Sequence, residues 1–318
     1  MTSVLARLQQ GLTLAALAPA AAWAAWAWQR GHPGWALAGV LLVLGGHAVV
    51  LALEFTLLHL AHGDDPAPRA RPAQLLRAWW GEALAAPTVF CWRQPFRSQR
   101  FADFLPADAA GRRGVLLVHG FVCNRGLWNP WLQRLQAAGV PTLAINLEPV
   151  FGSIDDYVEL IERAVQQLEG ATGLAPVVVA HSMGGLALRR WWAERGESGD
   201  SGDSSRVHHA LTLGTPHHGT WLARFAVTPN GHQMRIASRW LQALAAREPA
   251  DRATRFTCFY SHCDNNVFPP STATLDGADN RHIPGVAHVQ MADRPEPWQE
   301  LQRWLASPAP INAGLETR

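Results

Sequence analysis

Two long apolar stretches near the N terminus constrain the fold of this chain more than any other feature. Residues 11–29 and 31–53 contain 19 and 23 residues without Asp, Glu, Lys or Arg. A helix needs roughly 20 residues to cross the hydrocarbon core of a bilayer, so each stretch is long enough. An RGHPG turn joins them, and tryptophans cluster around it, as in an aromatic belt, at Trp23, Trp26, Trp28 and Trp35. The sequence therefore predicts a membrane hairpin over residues 1–62, with the lipid bilayer as its partner.

Two other interpretations of these stretches stay open at this point. The segment APAAAWA allows signal-peptide cleavage, although the second stretch would still anchor the mature chain. Alternatively, both stretches are buried helices of a soluble protein, but their length and the lack of a polar face count against this.

The arginines near the two stretches predict their orientation. Arg7 precedes the first stretch, three arginines follow the second (Arg69, Arg71 and Arg77), and the turn carries only Arg30. Because cytoplasmic flanks carry an excess of positive residues, both ends and the remaining chain are expected in the cytoplasm, at a bacterial inner membrane.

The rest of the chain divides by composition into a linker, a large domain and a tail. Residues 63–87 contain a proline-rich linker and a short amphipathic helix, LLRAWWGEALA, which either lies on the membrane or caps the next domain. Strand and helix patterns alternate over residues 88–308, beginning with TVFCW and SQRFADFL as leading strands. This alternation predicts an α/β fold, with a mostly parallel sheet covered by helices on both faces. Residues 196–205 are expected to form a flexible surface loop, and residues 309–318 a frayed tail.

Composition excludes several classes of function. The formal net charge is +2 and no basic stripe is present, so a nucleic-acid partner is not expected. The four cysteines form no CxxC pair, which argues against a metal site. Cys258 and Cys263 are near enough in sequence to meet, but buried free thiols are the favoured interpretation.

The segment AHSMGG at 180–185 carries the main functional signal. Four apolar residues precede it and a helical pattern follows, so Ser182 lies at a tight corner between strand and helix. A serine in such a strained corner needs small residues two positions before and after it, and these are Ala180 and Gly184. The segment resembles the nucleophile elbow of the α/β-hydrolases, in the variant with Ala at the first glycine. The resemblance covers roughly residues 88–308 and implies the α/β-hydrolase fold, after two transmembrane helices.

The resemblance also implies an oxyanion hole and a catalytic triad. LLVHGF at 116–121 is similar to the family's first active-site loop, with Gly120 as its turn residue. The backbone N–H groups of Phe121 and Met183 would be the oxyanion donors, and His119 is expected to be structural.

The family order of serine, acid and histidine favours Asp264 and His288 as the remaining triad members. Asp264 lies in FYSHCDNNVFPP, which is similar to a segment of bacterial lipases, and His288 lies in GVAHVQM after the last strand. Asp276 and Asp279 are alternative acids in a polar stretch, and His282 is expected to be structural. Asp264 would orient His288, whose Nε2 would take the proton of Ser182.

These residues predict a membrane-anchored serine hydrolase that cleaves carboxylic esters of the lipase or esterase type, through an acyl-enzyme and without a cofactor. An acyl ester or lipid is the expected substrate. The alternatives are an acyltransferase or thioesterase with the same triad, and a non-catalytic membrane protein that retains the fold. Residues 221–244 are either a cap over an acyl pocket or helices packed on the sheet, while His217 and His218 are expected in a loop near the pocket.

Overall fold

A parallel sheet of six strands lies at the centre of the computed structural model, which describes residues 3–195, 206–248 and 251–307. The predicted loop at 196–205 and the predicted tail lie outside the described residues. The strands are β1 Val115–Val118, β2 Thr142–Ala144, β3 Val177–His181, β4 His209–Leu213, β5 Phe256–Tyr260 and β6 Asp279–His282.

The strand order is β2-β1-β3-β4-β5-β6, and all five pairings are parallel. After β1 the chain moves to the edge strand β2 and then returns to the other side of β1 as β3. The order therefore reverses between β1 and β3, and ligands of open α/β sheets bind at the carboxyl ends of strands at such a point.

Helices cover both faces of the sheet because alternate strand residues point to opposite sides. Leu116 and Val118 pack into one core with helices α6 Val158–Thr172 and α7 Met183–Arg195. Val115 and Leu117 pack into a second core with helices α5 Asn129–Ala137 and α10 Pro295–Ala306. This arrangement confirms the predicted α/β architecture, a parallel sheet covered by helices on both faces.

Two long helices form the N-terminal hairpin, α1 Val4–Gln29 and α2 Pro33–Ala61. Both are long and apolar enough to cross a membrane, and only 6% and 11% of their most apolar 18-residue windows are buried. The few buried residues lie near the large domain, such as Leu5 in α1 and Phe55 in α2, or where the two helices pack together at the turn, such as Ala27 and Ala36. The two helices are therefore not core helices of the large domain.

The segment that follows the hairpin is helical, and here the sequence prediction of strands was wrong. Helix α3 Pro72–Pro87 continues into a π-helix, Thr88–Arg93, and a short helix α4 Gln94–Arg97, so TVFCW is not a strand. SQRFADFL contributes only an isolated antiparallel bridge from Phe104 to Thr142. A short apolar run does not distinguish a strand from a buried helical turn. The helical form prevails because α4 packs against α1, where Gln9 Nε2 donates to Gln94 Oε1 at 2.9 Å.

Three short helices follow β4, a 3₁₀ helix Trp221–Phe225, α8 Pro229–Gln233 and α9 Arg239–Ala245, and another 3₁₀ helix, Arg252–Arg255, directly precedes β5. We call residues 221–245 the cap. Cys258 and Cys263 are both buried free thiols, as the sequence favoured.

Candidate active site

Ser182 occupies a strained corner between β3 and α7. Its φ is 55°, in the left-handed region, which costs a non-glycine residue about 1–3 kcal/mol and persists only where the surroundings enforce it. The backbone N–H of Ser182 donates to the carbonyl of Leu213 at 2.8 Å, so the end of β4 holds the corner in place. The side chain of Ser182 lines a cavity beyond the carboxyl ends of the strands.

Close packing explains the small residues around this corner. A Cβ added at Gly184 would lie 2.4 Å from the carbonyl oxygen of His119, and one added at Gly120 would lie 2.6 Å from Ser182 Cβ. Real Cβ atoms do not approach so closely, so both positions require glycine. Ala180 is fully buried in β3, between Val118 and Thr212 of the neighbouring strands.

Asp264 and His288 are brought together above the same edge of the sheet. The Nδ1–H of His288 donates to Asp264 Oδ2 at 2.9 Å, and both side chains are buried. The other carboxylate oxygen of Asp264 accepts the backbone N–H groups of Asn266 and Val267, at 2.9 and 2.8 Å. These contacts leave Nε2 as the ring nitrogen of His288 that can act on a substrate or nucleophile.

Gly214 is a site residue that the sequence prediction missed. It follows β4 with a φ of 56°, and an added Cβ would lie 2.7 Å from Asp264 Oδ2 and 3.1 Å from His288 Nδ1. A side chain here would push the two residues apart. The available signal was a lone glycine directly after a buried strand, where a close backbone approach is common.

The pKa of His288 is shifted in the opposite direction from that of the neighbouring His181. Burial disfavours the charged form of His288, but the negative charge and hydrogen bond of Asp264, helped by Glu82 and Glu54, raise its pKa above 6.5. Burial lowers the pKa of His181 to about 3, although its ring centroid lies 4.6 Å from that of His288. His181 is therefore neutral when His288 gains a proton.

His119 is held by both ring nitrogens at the end of β1. Nδ1–H donates to the carbonyl of Gly120 at 2.9 Å, and Nε2 accepts the N–H of Leu147 at 3.0 Å. Burial lowers its pKa to about 4. These contacts are those of a structural residue that shapes the loop carrying Phe121.

The other candidates from the sequence do not line the cavity that Ser182 lines. Asp276 is exposed, and Asp279 pairs with Arg281 at 2.6 Å. The ring of His282 shares a 2.8 Å hydrogen bond with that of His262. His217 is buried against Thr212 at 3.0 Å, while His218 is exposed.

A cavity of about 630 Å³ joins Ser182 and His288 to an apolar wall. Phe121 lines it beside Ser182, and Met183 is the first residue of α7, where backbone N–H groups have no partner within the helix. The cap contributes mostly apolar residues, which are Leu222, Ala223, Phe225, Ala226 and Met234. The hairpin also contributes, through His47, Val50, Leu51 and Glu54 of α2. The sequence did not predict that an apolar N-terminal helix forms part of this wall.

Comparisons with known proteins agree with this architecture. The model of the alpha/beta hydrolase family matches residues 115–314. The mature form of the Bacillus licheniformis lipase BlEst2 is 15% identical, with a TM-score of 0.53 over 63% of this chain and 95% of that one. Its propeptide form is 16% identical, with a TM-score of 0.51 over 63% of this chain and 51% of that one. No curated protein sequence matches the chain.

Proposed function

The chain belongs to the α/β-hydrolase family, and from this premise we propose that it is a membrane-anchored serine hydrolase that cleaves carboxylic esters with apolar acyl chains. One observation carries the proposal: Ser182 and the hydrogen-bonded pair of Asp264 and His288 meet at one mostly apolar cavity. The family and the fold alone would not determine the reaction, since one fold hosts many chemistries.

In the proposed mechanism, Ser182 Oγ attacks the ester carbonyl carbon while His288 Nε2 takes the hydroxyl proton. The negative charge that develops on the carbonyl oxygen is stabilised by the backbone N–H groups of Phe121 and Met183 and by the N-terminal dipole of α7. His288 then gives its proton to the departing alcohol, which leaves an acyl group on Ser182. Water, deprotonated by His288, attacks this acyl-enzyme; the bond from the acyl carbon to Ser182 Oγ then breaks, His288 returns the proton to Oγ, and the carboxylic acid is released. Asp264 holds the orientation of His288 and stabilises its imidazolium.

The lining of the cavity supports an acyl chain as the recognised part of the substrate. Its walls are mostly apolar side chains such as Leu51, Leu222 and Met234, although a few polar side chains, such as Glu54 and Glu82, also line it. Acyl transfer and thioester cleavage would use the same three residues. The panel of substrates described below distinguishes these two reactions from ester hydrolysis. A non-catalytic role would not require the close packing of Gly214 on Asp264 and His288.

Enlarging Ala223 is expected to shorten the acyl chain that the enzyme accepts. Ala223 is only 6% exposed and lines the cavity, so Ala223→Phe fills space needed by a long chain. For p-nitrophenyl palmitate we expect kcat/KM to fall about 10-fold or more, and for the acetate to change by less than about 2-fold. Ala245→Phe is the matched control, because Ala245 is exposed on the cap and does not line the cavity.

The same panel, extended to a thioester and to added glycerol as an acyl acceptor, distinguishes the alternative reactions. Preferred cleavage of the thioester, or acyl glycerol as the main product, would replace ester hydrolysis as the function. Equal losses on palmitate and acetate in Ala223→Phe would contradict the assignment of this wall to the acyl chain.

Three features support the membrane anchor. The apolar residues 11–29 extend about 28 Å at 1.5 Å per residue, close to the thickness of a bilayer core. The tryptophans near the turn are exposed, with Trp28 at 69% and Trp35 at 66%. Helix α3 also exposes an apolar row at intervals of four residues, formed by Leu76, Trp80 and Leu84, beside the end of α2. In this proposal α3 both lies on the membrane and caps the domain, which were separate alternatives in the sequence.

A charge at the centre of the apolar stretch 31–53 is expected to weaken membrane retention. Leu42 and Leu60 are similarly exposed, at 75% and 71%, but Leu42 lies at the centre of this stretch and Leu60 at the end of α2. An arginine near the centre of a span costs about 2.5–3.5 kcal/mol on insertion scales, and one near the end reaches the interface. After carbonate extraction, wild type and Leu60→Arg should stay in the membrane pellet, with Leu42→Arg partly released.

Release of the wild-type chain into the supernatant would contradict the anchor. An N terminus that begins after residue 20 would instead identify residues 1–20 as part of a signal peptide. Protease treatment of spheroplasts tests the orientation, because a cytoplasmic catalytic domain is protected.

A further inference from the structure

A glutamate of α3 holds the backbone directly after His288. Glu82 is only 1% exposed, and its two carboxylate oxygens accept the N–H groups of Val289 and Gln290, at 2.9 and 3.3 Å. These residues begin a 3₁₀ helix, Val289–Asp293, for which His288 is the N-terminal flanking residue. Glu82 therefore caps that helix from outside, and the cap determines where the backbone of His288 lies.

A glutamate of α2 reaches the same histidine through one amide. The side-chain Nδ2 of Asn265 donates to Glu54 Oε2 at 2.7 Å, and its Oδ1 accepts the backbone N–H of His288 at 3.2 Å. Asn265 follows Asp264 directly and is 1% exposed. Glu54 therefore orients a side chain that links the loop of the acid to the loop of the base.

Both carboxylates lie outside residues 115–314, the region that matches the family. Glu82 is buried and Glu54 is half-buried, and burying a carboxylate is costly unless it is hydrogen-bonded. A purely structural role would be to attach the hairpin and α3 to the domain. Their contacts are instead directed at the two loops that carry Asp264 and His288.

We propose that Glu54 and Glu82 are positioning residues, through which the N-terminal anchor orients the acid and base of the hydrolase. The inference rests on the proposed triad. It assigns the anchor a part in catalysis, in addition to holding the domain at a membrane. Neither glutamate exchanges a proton with the substrate in this account.

The charges around His288 provide a readout that a purely structural role would not change. The groups that face it are Asp264, Glu82, Glu54 and the neutral His181. Each negative charge favours the imidazolium, so replacing a glutamate with glutamine lowers the pKa of His288. The base must be neutral to act, so the acid limb of the kcat/KM profile should then move to lower pH. Because burial raises the pKa of Glu82 to about 7, part of its charge is lost in the pH range where His288 titrates, so the shift of the acid limb in Glu82→Gln should be smaller than a fully charged neighbour would give, and the profile must cover about pH 5 to pH 9.

The experiment compares Glu82→Gln and Glu54→Gln with wild type as full-length chains in detergent micelles, on p-nitrophenyl butyrate. Active sites are counted by the burst of p-nitrophenol or by fluorophosphonate titration, so misfolded molecules do not enter kcat. Glutamine has the shape of glutamate, but only one of its two terminal atoms can accept a hydrogen bond. A small misplacement of a catalytic group lowers the rate of the chemical step strongly. We expect kcat to fall about 10- to 100-fold, KM to change less than about 3-fold, and the acid limb to move to lower pH.

Two further variants separate the effect of charge from that of position and provide a control. Glu82→Asp keeps the charge, so its acid limb should stay near the wild-type pH even if kcat falls. Glu162→Gln is the matched control, because Glu162 is also buried but bonds Trp191 and Arg206 away from the cavity, at 2.8 and 2.9 Å. Its kcat per active site and its pH profile should match wild type.

Unchanged kcat in both glutamine variants, or an acid limb that does not move in either, would overturn the inference. A lower kcat together with a KM raised by a similar factor, and without a pH shift, would identify a structural role only. If wild type has no esterase activity, or if activity survives Ser182→Ala, the proposed function itself fails. An active, Ser182-dependent enzyme that tolerates both glutamine substitutions contradicts the positioning role alone.

Discussion

Replacing Ser182 with alanine is expected to lower kcat/KM for p-nitrophenyl butyrate by about 10⁴-fold or more. The substitution removes the only atom that forms the acyl-enzyme, while the backbone donors and the cavity remain. Alanine is smaller than serine and leaves the corner with its φ of 55° in a residue that still has a Cβ, so the fold should persist. Initial rates on full-length protein, normalised to folded protein by thermal melting, measure the effect.

Ser307→Ala is the control for this substitution, because Ser307 follows α10 and its hydroxyl donates to the carbonyl of Trp304 at 2.8 Å, far from the cavity. It should hydrolyse the ester at the wild-type rate. Retention of more than about 1% of the wild-type rate in Ser182→Ala would mean that another group is the nucleophile.

Replacing Asp264 with asparagine is expected to lower kcat by about 10³- to 10⁴-fold. Asp264 now accepts the Nδ1–H of His288 at 2.9 Å, which leaves Nε2 free to take a proton from Ser182. An asparagine amide that donates to Nδ1 would favour the other tautomer, in which Nε2 already carries a hydrogen. Steady-state rates across the pH range, on full-length protein in detergent, provide the measurement.

Asp276→Asn provides the matched control because Asp276 is exposed and belongs to the stretch that the sequence left as an alternative. Its rates should be those of wild type. A large loss in Asp276→Asn together with an active Asp264→Asn would transfer the role of the acid to Asp276.

Local patterns made much of the fold and site predictable. The sheet was recognisable because buried parallel strands are continuous apolar runs, as in VVVA before Ser182. The close approaches at Gly120 and Gly184 leave room for no side chain, so they restrict the sequence strongly around one serine. Asp264 and His288 were recognisable by their position after strands, and the structure brings them within hydrogen-bond distance.

The contribution of the N-terminal segment was not predictable in this way, because it depends on contacts between distant parts of the chain. Glu54 is 211 residues from Asn265, and Glu82 is 207 residues from Val289. A signal was nevertheless present. Glu54 is the only acidic residue between positions 11 and 61, and an ionisable residue in an apolar helix is a candidate for function. The π-helix at Thr88–Arg93 was missed for a related reason, since it packs against α1 of the hairpin, which is distant in sequence, as well as against its neighbours α3 and α4.

Mapping the site of fluorophosphonate modification on the full-length protein by mass spectrometry tests most directly whether Ser182 is the nucleophile and Asp264 supports it. We expect one adduct per chain, on Ser182, and much slower labelling of the same serine in Asp264→Asn. Modification of a different residue, or labelling of Ser182 at the same rate with and without Asp264, would contradict this expectation.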